Sequence, residues 1–280
     1  MSAVLQTVRL ADQPQALGAL ARACLIAEVE THPKPGLVSH RSQGSHQDMD
    51  ADLLRRSAGV LEPFFAELAA AGRRGTGMAE LRRIGLKAEA VMLAETDGVN
   101  THRGAIFGLG LLCAAAGLRE ARGEDGRLGP TVAARWGQEI ATAPENKGSH
   151  GALACQRFRV GGARAEAATG FPSAYGIGLP ALRAARLLTP GDAEAARVQA
   201  CMALIAALED TNLLHRGGAE GLAFAQSQAM GFLRMGGVGQ PGWRGAAEAV
   251  HAGFVRRNLS PGGAADLLAI TLFLDAVEEG

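Results

Sequence analysis

"ALGALARACLIAEVE", residues 16–30, is the stretch that decides the fold class. Leu17, Leu20, Cys24, Leu25 and Val29 recur at spacings of three and four, the period of a half-buried helix and not the alternation of a strand. Further along the chain the same period returns over residues 51–71, 78–95, 131–143, 192–214, 218–233, 243–257 and 263–278. Valine and isoleucine together number only 21, while alanine and leucine dominate, and that balance favours helices over sheets. No alternating apolar run sits between turn signals. These stripes predict an all-α protein of about ten helices.

Glycine, 38 residues in all, collects between the stripes: at 36–44, 98–104, 148–151, 161–170, 217–221 and 261–263. "ARGEDGRLGP" (121–130) reads as an exposed loop. No composition shift or fixed-period repeat divides the chain, so one domain spanning 1–280 is expected, with its polar junctions forming one site. A formal net charge of zero argues against a nucleic-acid partner. Cys24, Cys113, Cys155 and Cys201 stand alone in apolar sequence, as reduced core cysteines do. No signal core or 18-residue apolar run is evident, so no membrane partner is expected and the location predicted is cytoplasmic. Whether the chain forms a homodimer is left open.

The junctions hold the chemistry. "HPKPGLVSHRSQGSHQDMD" (32–50) packs three histidines, a lysine, an arginine and two aspartates into nineteen residues. "VNTHRGAIFGLGLL" (99–112), "ENKGSHGA" (145–152) and "DTNLLHRGG" (210–218) each repeat an asparagine, a histidine, a cation and glycine beside a helical segment. Asn100 or Thr101 is placed to cap a helix beginning near Gly104, where free N–H groups reinforced by Arg103 suit a phosphate oxygen. A single such cluster is usually a helix cap with a solvated charge. Three of them, together with the opening segment and "NLSPGGAADLL" (258–268), point to a shared site.

Carboxylates follow the same division. Asp50 or Asp52 suits the cap of the next helix, whereas Asp48 precedes it beside His46. Glu28 and Glu30 fall at a helix C-terminus, against the macrodipole, and call for a compensating cation, either Lys34 or a metal. Asp97, Glu145, Glu166, Asp210 and Asp266 offer further oxygens at other junctions. An oxygen-rich, cysteine-free set suits Mg²⁺ bridging carboxylates to phosphates. The sequence has no GxxxxGK[ST], no GxGxxG after a strand, no HExxH and no GxSxG.

Six segments together resemble the triphosphoribosyl-dephospho-coenzyme A synthase family, which serves citrate lyase and malonate decarboxylase. They are "EVETHPKPGLVSHRSQGSHQDMD", "GVNTHRGAIFGLGLL", "ENKGSHG", "GARAEAATGFPSAYGIGLPAL", "EDTNLLHRGG" and "NLSPGGAADLLAITLFL", in that order over residues 28–274. Ser39 departs from the aspartate expected after "PKPGLV", which removes that position from direct metal binding.

The resemblance implies that ATP and 3′-dephospho-coenzyme A are joined with release of adenine. The acceptor's ribose 2′-hydroxyl attacks C1 of ATP's ribose, giving a precursor that a prosthetic-group transferase loads onto an acyl carrier protein. Malonate decarboxylase is preferred to citrate lyase as its destination. Such chemistry needs a triphosphate clamp, a base, a donor for adenine and a carboxylate near the oxocarbenium-like carbon. Lys34, Arg103, Lys147 and Arg216 are assigned to the phosphates; Glu28, Asp48 and Asp210 to Mg²⁺; and His46 to the general base, with Asp48 and Glu28 also in the catalytic set. Gly36, Ser45, Asn100, Thr101, His102, Gly104, Asn146, His150, Arg164, Glu166, Asn212, His215, Ser260 and Gly262 complete the predicted substrate contacts. Two other readings fit the junctions without the resemblance. One is a helical Mg²⁺-dependent nucleotide or ADP-ribose hydrolase, and the other a non-catalytic nucleotide-binding partner of a carrier-protein complex.

Overall fold

The computed structural model describes residues 14–143 and 150–278, except the side chain of His150. These residues form twelve α-helices: α1 (Pro14–Val29), α2 (Ala51–Arg73), α3 (Met78–Glu95), α4 (Arg103–Arg122), α5 (Leu128–Thr142), α6 (His150–Phe158), α7 (Gly162–Ala168), α8 (Leu179–Leu188), α9 (Ala193–Ala207), α10 (Thr211–Arg234), α11 (Trp243–Arg256) and α12 (Gly262–Glu278). A π-helical turn, Ala174–Gly178, leads into α8. The all-α expectation holds. Among the described residues the only β pairing is one bridge between Ser39 and Ser42.

Helix α4 is the centre, flanked by α2, α5 and α12. Its glycines let the backbones close up. A Cβ on Gly117 would lie 2.1 Å from the carbonyl oxygen of Ala69, and one on Gly72 of α2 would lie 1.9 Å from that of Ala114. Larger residues at either position would push the two helices apart. Leu61, Phe65, Leu109, Leu112, Val198, Leu204, Phe273 and Leu274 share one continuous apolar core with this pair. Helix α4 is also long and apolar enough to cross a membrane, contrary to the expectation that no such run exists; 72% of its apolar window is buried inside the protein. Its apolarity is that of a core helix.

Three sequence expectations about helices need correction. The stripe over 192–214 is two helices, not one. Leu208 turns extended, and Asp210 starts α10 by accepting from the N–H groups of Asn212 and Leu213 at 2.8 and 3.3 Å. A capping aspartate outweighs the apolar period on either side of it. The break expected between the stripes ending at 214 and beginning at 218 falls at Gly218, whose non-helical φ of 61° and ψ of −161° divide α10 into two helical segments across a kink. Helices α6, α7 and α8, and the π turn before α8, carried no recognised stripe, and the expected loop 121–130 shrinks to the residues between Arg122 and Leu128.

Candidate active site

The histidine-rich segment after α1 is a loop folded inward: residues 31–39 are all buried. Lys34 is fully buried and forms a close ion pair with Glu28, itself 7% exposed. Glu30 instead meets Arg55 of α2, with an oxygen 2.6 Å from Nη2. The compensating cations for the two C-terminal glutamates are therefore Lys34 and Arg55. Two histidines fasten this loop to α11. The His251 ring reaches the Lys34 carbonyl through Nδ1 (2.7 Å) and Ser42 through Nε2 (2.9 Å). The His32 ring joins Ser39 through Nδ1 (2.9 Å) to Glu248 through Nε2 (2.6 Å). Gly36, at φ 67°, lies so close to the segment after α11 that a Cβ would stand 2.0 Å from the Leu259 carbonyl oxygen. Its conformation serves that contact.

Beyond the buried part, the loop turns outward and builds a rim. Ser45 donates to the Leu259 carbonyl at 2.7 Å. His46 Nε2 lies 2.8 Å from Ser260 Oγ, and Nδ1 lies 3.3 Å from Asp48 Oδ1 and 3.4 Å from Arg216 Nη2. Nδ1 cannot donate to Asp48 and accept from Arg216 in one tautomer. The ring thus has two wired states: Nδ1–H donating to Asp48 while Nε2 accepts from Ser260, or Nε2–H donating to Ser260 while Nδ1 accepts from Arg216. Burial, then the Arg216 charge, lowers the His46 pKa against the opposing pull of Asp48. Arg216 is anchored by the Ser45 carbonyl at 2.9 Å and the Asn258 side-chain oxygen at 3.0 Å. Gly44, Ser45, His46, Gln47, Arg216, Val255 and Asn258 line an open pocket of about 470 Å³.

Behind the rim, the starts of three helices meet around buried acids. Asp210 accepts from Asn212 and Leu213 of α10 and also from Ala264 of α12 at 2.9 Å, with Gly263 a further donor. Burial raises its pKa, and these N–H groups oppose the rise. Asn212 packs on Gly262, where a Cβ would stand 2.6 Å from its Nδ2. Asp266 of α12 lies against the first turn of α4: a Cβ on Gly104 would be 2.0 Å from its Oδ2, and the Ala105 N–H donates to it. Burial, then Glu28 and Asp210, push the Asp266 carboxyl up to about 8. His102 is buried, with Nδ1 2.9 Å from Ser57 Oγ, and Nε2 has no hydrogen-bond partner. Burial, then Lys34, push this ring down to about 4, so it is neutral.

Other predicted contacts resolve into scaffold. His102, not Asn100 or Thr101, holds the N-cap position of α4 and makes no side-chain cap bond. Asn100 Oδ1 accepts from the Arg103 N–H at 3.2 Å from two residues further out, and Thr101 bonds to Ser57 at 2.6 Å. Arg103 pairs with Glu89 of α3 at 2.5 Å. Arg164 closes the end of α5 through the Ile140, Ala141 and Ala143 carbonyls at 2.8, 3.1 and 2.6 Å. Glu166 accepts from the Ser173 N–H and hydroxyl at 2.7 and 2.9 Å. His215 is exposed on α10. Asn146 and Lys147 lie outside the described residues, as does the His150 side chain, although His150 opens α6.

A metal was expected at Glu28, Asp48 and Asp210. Among the described residues no group of three or more His, Cys, Asp or Glu side chains is arranged to hold one. Glu28 faces the Lys34 ammonium, and Asp210 is occupied by backbone N–H groups. Asp48, with its side chain 60% exposed, is the open carboxylate of the three. The donors present do not fit a resident Mg²⁺ held by that trio.

Sequence reasoning underrated Asp266, counting it only as one more oxygen at a junction. The available signal was an acid two positions beyond "GGA", the only charged residue of that helical stretch before Asp275. It passed over Ser57 and His251, which sit inside regular helical stripes and carry no local mark.

The candidate site is thus an open rim carrying Arg216 and His46, set on an all-α scaffold above acids at converging helix starts. Comparison with known proteins narrows the class. The family description CitG, ATP:dephospho-CoA triphosphoribosyl transferase, matches residues 14–280. A Klebsiella pneumoniae protein named 2-(5''-triphosphoribosyl)-3'-dephosphocoenzyme-A synthase is 41% identical over 261 residues, covering 92% of each chain. Two proteins named "Probable 2-(5''-triphosphoribosyl)-3'-dephosphocoenzyme-A synthase" are comparably similar. That of Azotobacter vinelandii is 42% identical over 99% of this chain and 97% of its own. That of Stutzerimonas stutzeri is 43% identical over 95% and 91%. No solved structure matches. The chain belongs to the ATP:dephospho-CoA triphosphoribosyl transferase family, an enzyme family, and the match favours transfer over the hydrolase alternative.

Proposed function

We propose that this chain transfers the triphosphoribosyl group of ATP to the 2′-hydroxyl of 3′-dephospho-coenzyme A and releases adenine. The observation that carries the reading is the family match over residues 14–280. The product is the prosthetic-group precursor for the acyl carrier protein of malonate decarboxylase or citrate lyase, attached by a separate transferase in the cytoplasm.

The rim supports a division of labour. Arg216, anchored to two carbonyls and an amide oxygen, offers its charge to a phosphate at the pocket. His46, its pKa lowered, is neutral at physiological pH and is the base for the acceptor hydroxyl. Switching between its two wired tautomers lets it take that proton at one ring nitrogen and release another toward Asp48. Mg²⁺ enters as part of the nucleotide substrate, with Asp48 the most exposed of the three carboxylates expected to meet it.

The test is mass spectrometry of the purified protein with ATP, Mg²⁺ and dephospho-coenzyme A. The expected result is one adenine released for each triphosphoribosylated acceptor, with none formed when the acceptor is omitted. Adenine or ribose triphosphate formed equally well without acceptor would assign the site to hydrolysis. Pyrophosphate as the stoichiometric product would remove the reading altogether.

A further inference from the structure

We propose that Asp266 is a catalytic residue: it hands a proton to the departing adenine as the bond between C1 of ribose and N9 breaks. The inference rests on the transfer reaction proposed above and names a residue for the half of it that His46 does not serve.

Three acids share the interior cluster, and they differ in what remains free. Glu28 is 7% exposed and committed to Lys34. Asp210 is 3% exposed and committed to the backbone of two helices. Asp266 is only partly buried, and the Ala105 N–H is its one backbone donor. It has neither an ion-pair partner, as Glu28 has, nor the several backbone donors of Asp210, so its carboxyl keeps unused hydrogen-bonding capacity. The chain keeps space for it: its Oδ2 rests where any side chain on Gly104 would have to stand. On the same turn of α4 the buried His102 Nε2 has no protein partner, a second polar atom awaiting a ligand.

The charges around Asp266 favour a carboxyl that carries its proton. Glu28 of α1 and Asp210 at the start of α10 both repel a third negative charge. Lys34 is drawn to Glu28, and Arg103 on α4 is paired with Glu89. His102 is neutral, and Cys201 of α9 is a buried thiol pushed up to about 12. Asp266, held up to about 8, is thus protonated at neutral pH and able to donate.

The proton and electron balance closes without an outside reagent. The C1–N9 electron pair leaves with adenine, which takes the Asp266 proton on a ring nitrogen and departs neutral. The acceptor oxygen forms the new bond to C1, and its own proton passes to His46 and then to solvent. Solvent returns one proton to the Asp266 carboxylate.

Asp266→Asn separates this role from a structural one, because asparagine can still accept the Ala105 N–H. Adenine release is measured with saturating ATP and acceptor across neutral and alkaline pH. For the parent protein kcat should fall as pH rises through the Asp266 pKa. The variant should lose about a hundredfold in kcat, keep its KM for ATP, and lose the alkaline limb. A parental kcat that stays flat into the alkaline range overturns the proposal, as does a variant with near-parental kcat and an unchanged limb. If the variant does not fold, the parental profile decides by itself. A parent that forms no adenine at any pH removes the transfer reaction as well, which distinguishes that failure from the failure of Asp266 alone.

Discussion

Lys34 and Arg216 carry the same charge in opposite settings. Lys34 has no exposed surface and spends its ammonium on Glu28, whereas Arg216 stands on the rim of an open pocket, held in place by carbonyl oxygens that leave its charge unneutralised. Both looked alike as cations in glycine-rich junctions. The difference teaches that a polar junction in a helical protein can serve two purposes. Its buried end holds helices in register, and its outer end meets ligands.

The largest effect that tests this contrast is on stability. Lys34→Met leaves the Glu28 carboxylate buried beside an apolar chain and should cost about 3–5 kcal/mol in denaturant unfolding. Arg216→Ala should cost less than about 1 kcal/mol in the same assay. Equal losses for the two variants would erase the distinction between scaffold and rim.

Ligand affinity should show the reverse order. Arg216→Ala should weaken ATP binding about ten- to a hundredfold by calorimetry, the usual scale of a lost charge-assisted contact. Unchanged affinity would assign Arg216 to holding Ser45 and Asn258 rather than to substrate.

The smallest effect, a shift in a pH profile, sharpens the rim itself. His46 acts as a base when neutral, so kcat/KM should rise with pH through its pKa. Arg216 lowers that pKa and Asp48 raises it. Asp48→Asn should therefore move the acidic limb to lower pH, and Arg216→Ala should move it to higher pH. Limbs that move together, or not at all, would mean that His46 is not the titrating base.

The helices were legible because burying one face imposes a period that survives in the sequence, as in α1, α2 and α11. The join between α9 and α10 was not, since the apolar period continues through it and a single aspartate makes the break. For the site, the junction motifs picked out the right segments: His46, Ser45, Ser260 and Arg216 meet on the rim, and Glu28, Lys34 and Asp210 within. Residue types alone could not say which cation would find a buried partner. Glu89, which takes Arg103, sits on α3 in an ordinary amphipathic stripe, far from any motif. Arg164 and Glu166 carried polar groups that the nearest helix ends claimed first. Pairings of this kind depend on tertiary contact and leave no local trace.

Asp210 has a consequence beyond the site. Its one carboxylate caps the first turns of α10 and α12 together, although Asp210 and Ala264 lie 54 residues apart in the chain. Neither helix can fray from its first turn without stripping the other of its acceptor. The two ends therefore open as a single cooperative unit, and slow amide exchange at Asn212, Leu213 and Ala264 is expected to share one opening free energy.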